Sequence, residues 1–83
     1  MKYTLFTTTR CHKCPAMLAF SDKLKLNGIQ GVSYNETHTD FDKLCGEYNV
    51  IMAPTLFLFR GTTIIERFDD LAEAEYYYDT QLT

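Results

Sequence analysis

Three cysteines in this sequence can do redox or metal chemistry: Cys11, Cys14 and Cys45. Cys11 and Cys14 form a Cys-X-X-Cys pair, and no second such pair follows, which rules out a four-cysteine zinc site. An odd, low cysteine count is also unlike a small secreted scaffold stapled by disulfides. A redox dithiol remains, or a mixed metal site that recruits histidine, with His38 and Cys45 as the added ligands. A dithiol needs both sulfurs on one turn, so that they can close a disulfide. It also needs one cysteine held as thiolate, because only the thiolate attacks a target disulfide.

The surrounding pattern favours the dithiol. Residues Tyr3 to Thr8 are Thr-rich, β-branched and aromatic, which predicts a strand ending at Thr9-Arg10. From Cys14 to Asn27 the residues Met17, Phe20 and Leu24 recur at helical spacing, with Leu18 and Leu26 widening the stripe, and Asn27-Gly28 supplies a left-handed stop. The pair therefore falls where a strand hands over to a helix. Unpaired N–H groups and the positive end of the helix dipole favour an anion there, and His12 and Lys13 add positive charge.

The rest of the chain supplies the frame. Val32 and Tyr34 mark a short half-buried strand, and Thr39 is placed to cap a helix whose apolar face is Phe41, Leu44, Cys45 and Tyr48. Cys45 is thereby expected in the core, with Asn49 as the exit residue at positive φ. The run Thr55–Phe59 is apolar on both alternations and predicts a central strand covered on both faces. Arg60-Gly61 turns the chain into a return strand, Thr62 to Phe68. A closing helix with Leu71, Ala74 and Tyr78 on one stripe follows, capped by Asp69 or Asp70. The order is β-α-β-α-β-β-α, one four-stranded sheet flanked by helices.

Composition sets the limits. The 83 residues are 46% hydrophobic and 23% charged, with four Gly and two Pro, the mix of a single ordered domain spanning 1–83. A net charge of −3 argues against a nucleic-acid backbone as partner. No apolar run approaches the roughly 18 residues of a membrane span. The N-terminus lacks the apolar stretch and cleavage site of a secretory signal, so a cytoplasmic location is expected. At this size the core leaves no room for a buried cofactor.

Met52-Ala53-Pro54-Thr55 stands immediately before the most hydrophobic strand, and a strand start tolerates proline, which has no N–H to give to a ladder. Strand, Cys-X-X-Cys helix, strand, helix, then Ala-Pro-Thr before a hairpin resembles the thioredoxin/glutaredoxin superfamily over essentially the whole chain. Cys11-His12-Lys13-Cys14-Pro15 is also similar to the dithiol of archaeal small redoxins and of the thioredoxin-like domain of a peroxide-reductase flavoprotein. The short length resembles that of glutaredoxin-like proteins that feed ribonucleotide reductase.

The resemblance implies a mixed α/β thioredoxin-like fold and a protein-disulfide reductase in which Cys11 is the nucleophile and Cys14 resolves. It implies a cis Pro54 packed against the dithiol, an Ala53 backbone that pairs with substrate, and His12 and Lys13 beside the bound target. A thioredoxin-reductase-like donor, a protein disulfide as substrate, a monomer, and no metal or cofactor complete the expectation. The alternative is a non-catalytic binding module of the same fold, or a metal carrier using Cys11 and Cys14. Departures from the family pattern are Arg10 where thioredoxins carry Trp, Leu5 in place of their buried acid, and Glu66-Arg67 where glutaredoxins carry Gly-Gly before an acidic pair that Asp69-Asp70 echoes.

Overall fold

A computed structural model describes residues 1–82. Its elements are β1 (Lys2–Phe6), α1 (Cys14–Leu26), β2 (Gln30–Tyr34), α2 (Phe41–Tyr48), β3 (Thr55–Arg60), β4 (Thr63–Phe68) and α3 (Leu71–Tyr77), followed by a π-helical turn, Tyr78–Leu82. The four strands form one sheet in the order β2-β1-β3-β4. β1 runs parallel to β2, with Phe6 opposite Tyr34, and antiparallel to β3, with Phe6 opposite Thr55. β4 runs antiparallel to β3, with Phe68 opposite Leu56. This polarity brings four chain segments to one end of the sheet: the one leaving β1, the one leaving β2, the one entering β3 and the one leaving β4. Both segments implicated by the sequence, 7–13 and 50–54, are among them.

Side-chain alternation divides the core in two. On one face Tyr3, Leu5, Leu56, Leu58 and Phe68 pack against Met17, Phe20 and Leu24 of α1 and against Ala74 and Tyr78. On the other, Phe6 is fully buried, with ring centroids 5.8 to 6.1 Å from Tyr34, Phe41, Tyr48 and Phe57. The predicted stripe of α1 narrows to Met17, Phe20 and Leu24, because Leu18 and Leu26 lie off that face and are exposed, Leu26 at the helix end by 87%. Gly28 takes φ +87° and Asn49 φ +55°, the left-handed stops expected of them.

Three local expectations are corrected. β1 ends at Phe6 rather than Thr8, although the Thr7 N–H still donates to the Tyr34 carbonyl at 2.9 Å. α2 has Asp40, not Thr39, at its cap position, and no side chain caps it. His38 takes part in that turn instead, its Nδ1 accepting from the Asp40 N–H at 3.1 Å. Cys45 is half-buried rather than in the core, because α2 is a short helix that contributes no fully buried residue. The last helix is capped as expected, with Asp70 Oδ1 accepting from the Ala72 N–H at 3.1 Å.

Tyr3 carries a stability prediction. Its ring is 1% exposed, and its hydroxyl is buried without a hydrogen-bond partner among the described residues. A buried, unpaired hydroxyl costs about 1–3 kcal/mol in lost hydration, so Tyr3→Phe is expected to stabilise the fold by about 1 kcal/mol. A urea unfolding midpoint at or below that of the wild type would contradict this.

Candidate active site

The site is built at the sheet end where β1 stops. Beyond Thr7 the chain turns, with the Cys11 N–H reaching the Thr8 carbonyl and the Cys14 N–H reaching the Cys11 carbonyl, both at 3.4 Å. α1 then begins at Cys14, with Lys13 as its cap residue. This resolves how Pro15 fits. It occupies the first turn, where backbone N–H groups have no intrahelical acceptor, so its missing donor costs nothing there. Regular bonding starts with the Met17 N–H to the Lys13 carbonyl at 3.3 Å.

Cys11 and Cys14 are joined in a disulfide across this turn, with Cα atoms 5.3 Å apart. Their environments differ. Cys14 is 2% exposed, in the first turn of the helix, whereas Cys11 is half-buried. No side chain caps the N-terminus of α1 and no acidic residue lies in its first turn. The positive end of the helix is therefore free to act on the sulfurs beside it. Arg10, His12 and Lys13 are all exposed around the pair.

The segment before β3 reaches the same end of the sheet. The Ala53–Pro54 peptide is cis, as the resemblance implies. Pro54 and Thr55 are buried, and the Thr55 hydroxyl donates to the Met52 carbonyl at 2.7 Å, fixing the turn. Ala53 and Thr8 line one pocket of about 280 Å³ together with Phe6, Phe41, Asp42, Cys45, Val50, Ile51 and Met52. The pocket places Thr8, three residues before Cys11, beside the segment that leads to Pro54. The Cys45 thiol opens on it, held above the usual thiol range first by desolvation and then by the Asp42 carboxylate. Among the described residues no three His, Cys, Asp or Glu side chains are grouped as metal ligands would be. His38, the proposed extra ligand, is instead bonded to the Asp40 N–H and stands edge-on to Tyr34 with centroids 4.9 Å apart.

Residues with no sequence signature also shape the site. Ile51 and Met52 line the same pocket and are 89% and 52% exposed. Arg67 donates from its guanidinium to the carbonyls of Tyr48 (3.3 Å) and Asn49 (2.9 Å), stacking 5.2 Å from the Phe57 ring centroid. It thereby neutralises the carbonyl end of α2 and anchors the start of the segment that leads to Pro54. The Glu36 carboxylate binds Thr9, two residues before Cys11. Neither long-range partner follows from periodicity.

No protein-family model and no curated protein sequence matches the chain. Solved structures do. The chain is similar to thioredoxin 1 from the thermophilic eubacterium Thermosipho africanus TCF52B, with a TM-score of 0.77 over 100% of both chains at 21% identity. It is similar to oxidised thioredoxin O2 from Arabidopsis thaliana, with a TM-score of 0.81 over 99% of this chain and 75% of that one at 17% identity. Thioredoxin f2 from Chlamydomonas reinhardtii matches with a TM-score of 0.73 over 99% and 80% at 17% identity. The chain therefore has the thioredoxin fold, with a Cys11–Cys14 pair at the start of its first helix.

Proposed function

We propose that the protein is a thiol–disulfide oxidoreductase that reduces disulfides in other proteins. The observation that carries this reading is a closed Cys11–Cys14 disulfide at an uncapped helix start, at the same end of the sheet as a cis Ala53–Pro54 peptide. In the reduced state the Cys11 thiolate attacks one sulfur of the target disulfide. A mixed disulfide forms, and the departing target thiolate takes up a proton. Cys14, deprotonated in turn, attacks the Cys11 sulfur, releases the second target thiolate and re-forms the Cys11–Cys14 bond. Two electrons leave the dithiol and two target thiols form, and an external donor then restores the dithiol. Substrate lies along Ala53 and Pro54, whose backbone pairs with an extended target segment, with His12 and Lys13 flanking it. The reaction takes place in the cytoplasm, with a thioredoxin-reductase-like donor and a target of the ribonucleotide-reductase type.

Among the described residues no helix is long and apolar enough to cross a membrane. Arg67 supports the choice of donor. It belongs to the pair Glu66-Arg67 that stands where glutaredoxins hold glutathione with two glycines, and its guanidinium is committed to the Tyr48 and Asn49 carbonyls. The test is insulin reduction by the wild-type protein, first with dithiothreitol, then with thioredoxin reductase compared with glutathione and glutathione reductase. Turnover is expected with dithiothreitol and faster turnover with thioredoxin reductase than with glutathione. No turnover with any donor would leave a binding module of the same fold, and faster turnover with glutathione would overturn the assignment of the donor.

A further inference from the structure

Segment 35–40, which leaves β2, is braced by its own short-range bonds. The Asn35 side-chain carbonyl accepts from the Thr37 N–H at 3.0 Å and from the Thr37 hydroxyl, and the His38 N–H donates to the Asn35 carbonyl at 2.9 Å. The Asp40 N–H closes the turn on His38 Nδ1, and the His38 ring rests on Tyr34. From this preset loop Glu36 reaches across 27 positions of sequence to the dithiol segment. Its two carboxylate oxygens receive the Thr9 N–H at 3.0 and 2.9 Å, and one of them receives the Thr9 hydroxyl at 3.3 Å. Hydrogen bonds to an ionised acceptor are stronger than neutral ones. This one falls where the chain has left the sheet and has not yet joined α1.

We infer that Glu36 is a positioning residue for the dithiol: by holding Thr9 it sets the path of Arg10 and Cys11, and so keeps the Cys11 sulfur at the positive end of α1. Two effects of opposite sign are then in play. The clamp favours the Cys11 thiolate by placing it, whereas the Glu36 charge opposes that thiolate through space. The structure favours the clamp, because Glu36 is exposed and its charge is screened by solvent, while three hydrogen bonds act on backbone and side chain directly. The inference deepens the oxidoreductase reading, but the reactivity of Cys11 is measurable with no protein substrate.

Three variants separate the effects. Glu36→Gln removes the charge yet keeps an oxygen for the Thr9 N–H and an amide that can donate to the Thr9 hydroxyl. Glu36→Asp keeps the charge but withdraws the carboxylate by one methylene. Glu36→Ala removes both. The readout is the rate of iodoacetamide labelling of Cys11 in the reduced, folded protein as a function of pH, located by mass spectrometry. Loss of a bond to a charged group corresponds to about tenfold, so the Ala and Asp variants are expected to label roughly tenfold more slowly at neutral pH, with profiles displaced to higher pH. The Gln variant is expected to stay near the wild type. If Ala and Gln both label faster than the wild type, charge governs and the inference is wrong. It is equally wrong if Asp matches the wild type, an arm that stands even if Glu36→Ala fails to fold. Absence of insulin turnover by the wild type would defeat the functional reading and leave these labelling results intact.

Discussion

Cys14→Ser is expected to lose essentially all turnover and to accumulate as a covalent adduct with its target, while Cys11→Ser traps nothing. The asymmetry follows from placement. On the proposed reading Cys11, the more exposed of the two, is the attacking sulfur beside the uncapped start of α1, and a helix start lowers a thiol pKa below its free value of about 8.5. Cys14 is 2% exposed, so on the same reading it acts on the disulfide already made at Cys11. Without it the first step proceeds and the second has no nucleophile. Cys45→Ser is expected to behave as the wild type. Burial and Asp42 raise the Cys45 pKa, so at a given pH more of it is protonated and it labels later as pH rises. Non-reducing gels of each variant after exposure to a disulfide substrate, with the labelled cysteine mapped, check all three. Adducts on the Cys11→Ser protein, or alkylation of Cys14 or Cys45 ahead of Cys11, would reverse the assignment.

Phe6→Ala is expected to remove about 3–5 kcal/mol of stability, the usual cost of deleting a fully buried phenyl ring. A chain of this length holds on the order of 4–12 kcal/mol in total, so the variant gives up at least about a quarter of its stability. Phe6 is 0% exposed and is the ring around which Tyr34, Phe41, Tyr48 and Phe57 gather, and it is the last residue of β1 before the dithiol segment. Its loss would empty the space under α2 and loosen the pocket it shares with Ala53 and Thr8. Denaturant unfolding followed by circular dichroism measures the cost. A loss below about 1 kcal/mol would show that the α2 side of the sheet contributes little, since most core truncations cost more.

Much of this was legible in the chain itself, where local rules suffice. The β-branched and aromatic start of the chain, the Met17–Phe20–Leu24 stripe, the stop at Asn27-Gly28 and the doubly apolar Thr55–Phe59 run each follow one period or one local preference, and all appear in the fold. The Cys11–Cys14 spacing likewise announced a bond across one turn. What escaped depends on distance along the chain. Glu36 and Arg67 are a loop acid and a strand cation with nothing unusual about their neighbours in sequence, and each finds its partner only after the sheet assembles. Cys45 misled for a related reason. Its helical spacing with Phe41, Leu44 and Tyr48 is real, but spacing tells which residues share a face and not how deeply that face is covered.

The polarity of the sheet also offers an address for attachments. The turn at Gly28 and the hairpin tip at Gly61-Thr62 lie at the end opposite the dithiol, and the space around both glycines is open. Strands of this length separate the two ends by roughly 17–20 Å. A dye, affinity handle or surface tether carried on Thr62 would ride on the quiet end of the molecule. If targets dock at Cys11 as proposed, it would be far enough away to leave that docking undisturbed, yet near enough for a quencher on a captured target to report each encounter.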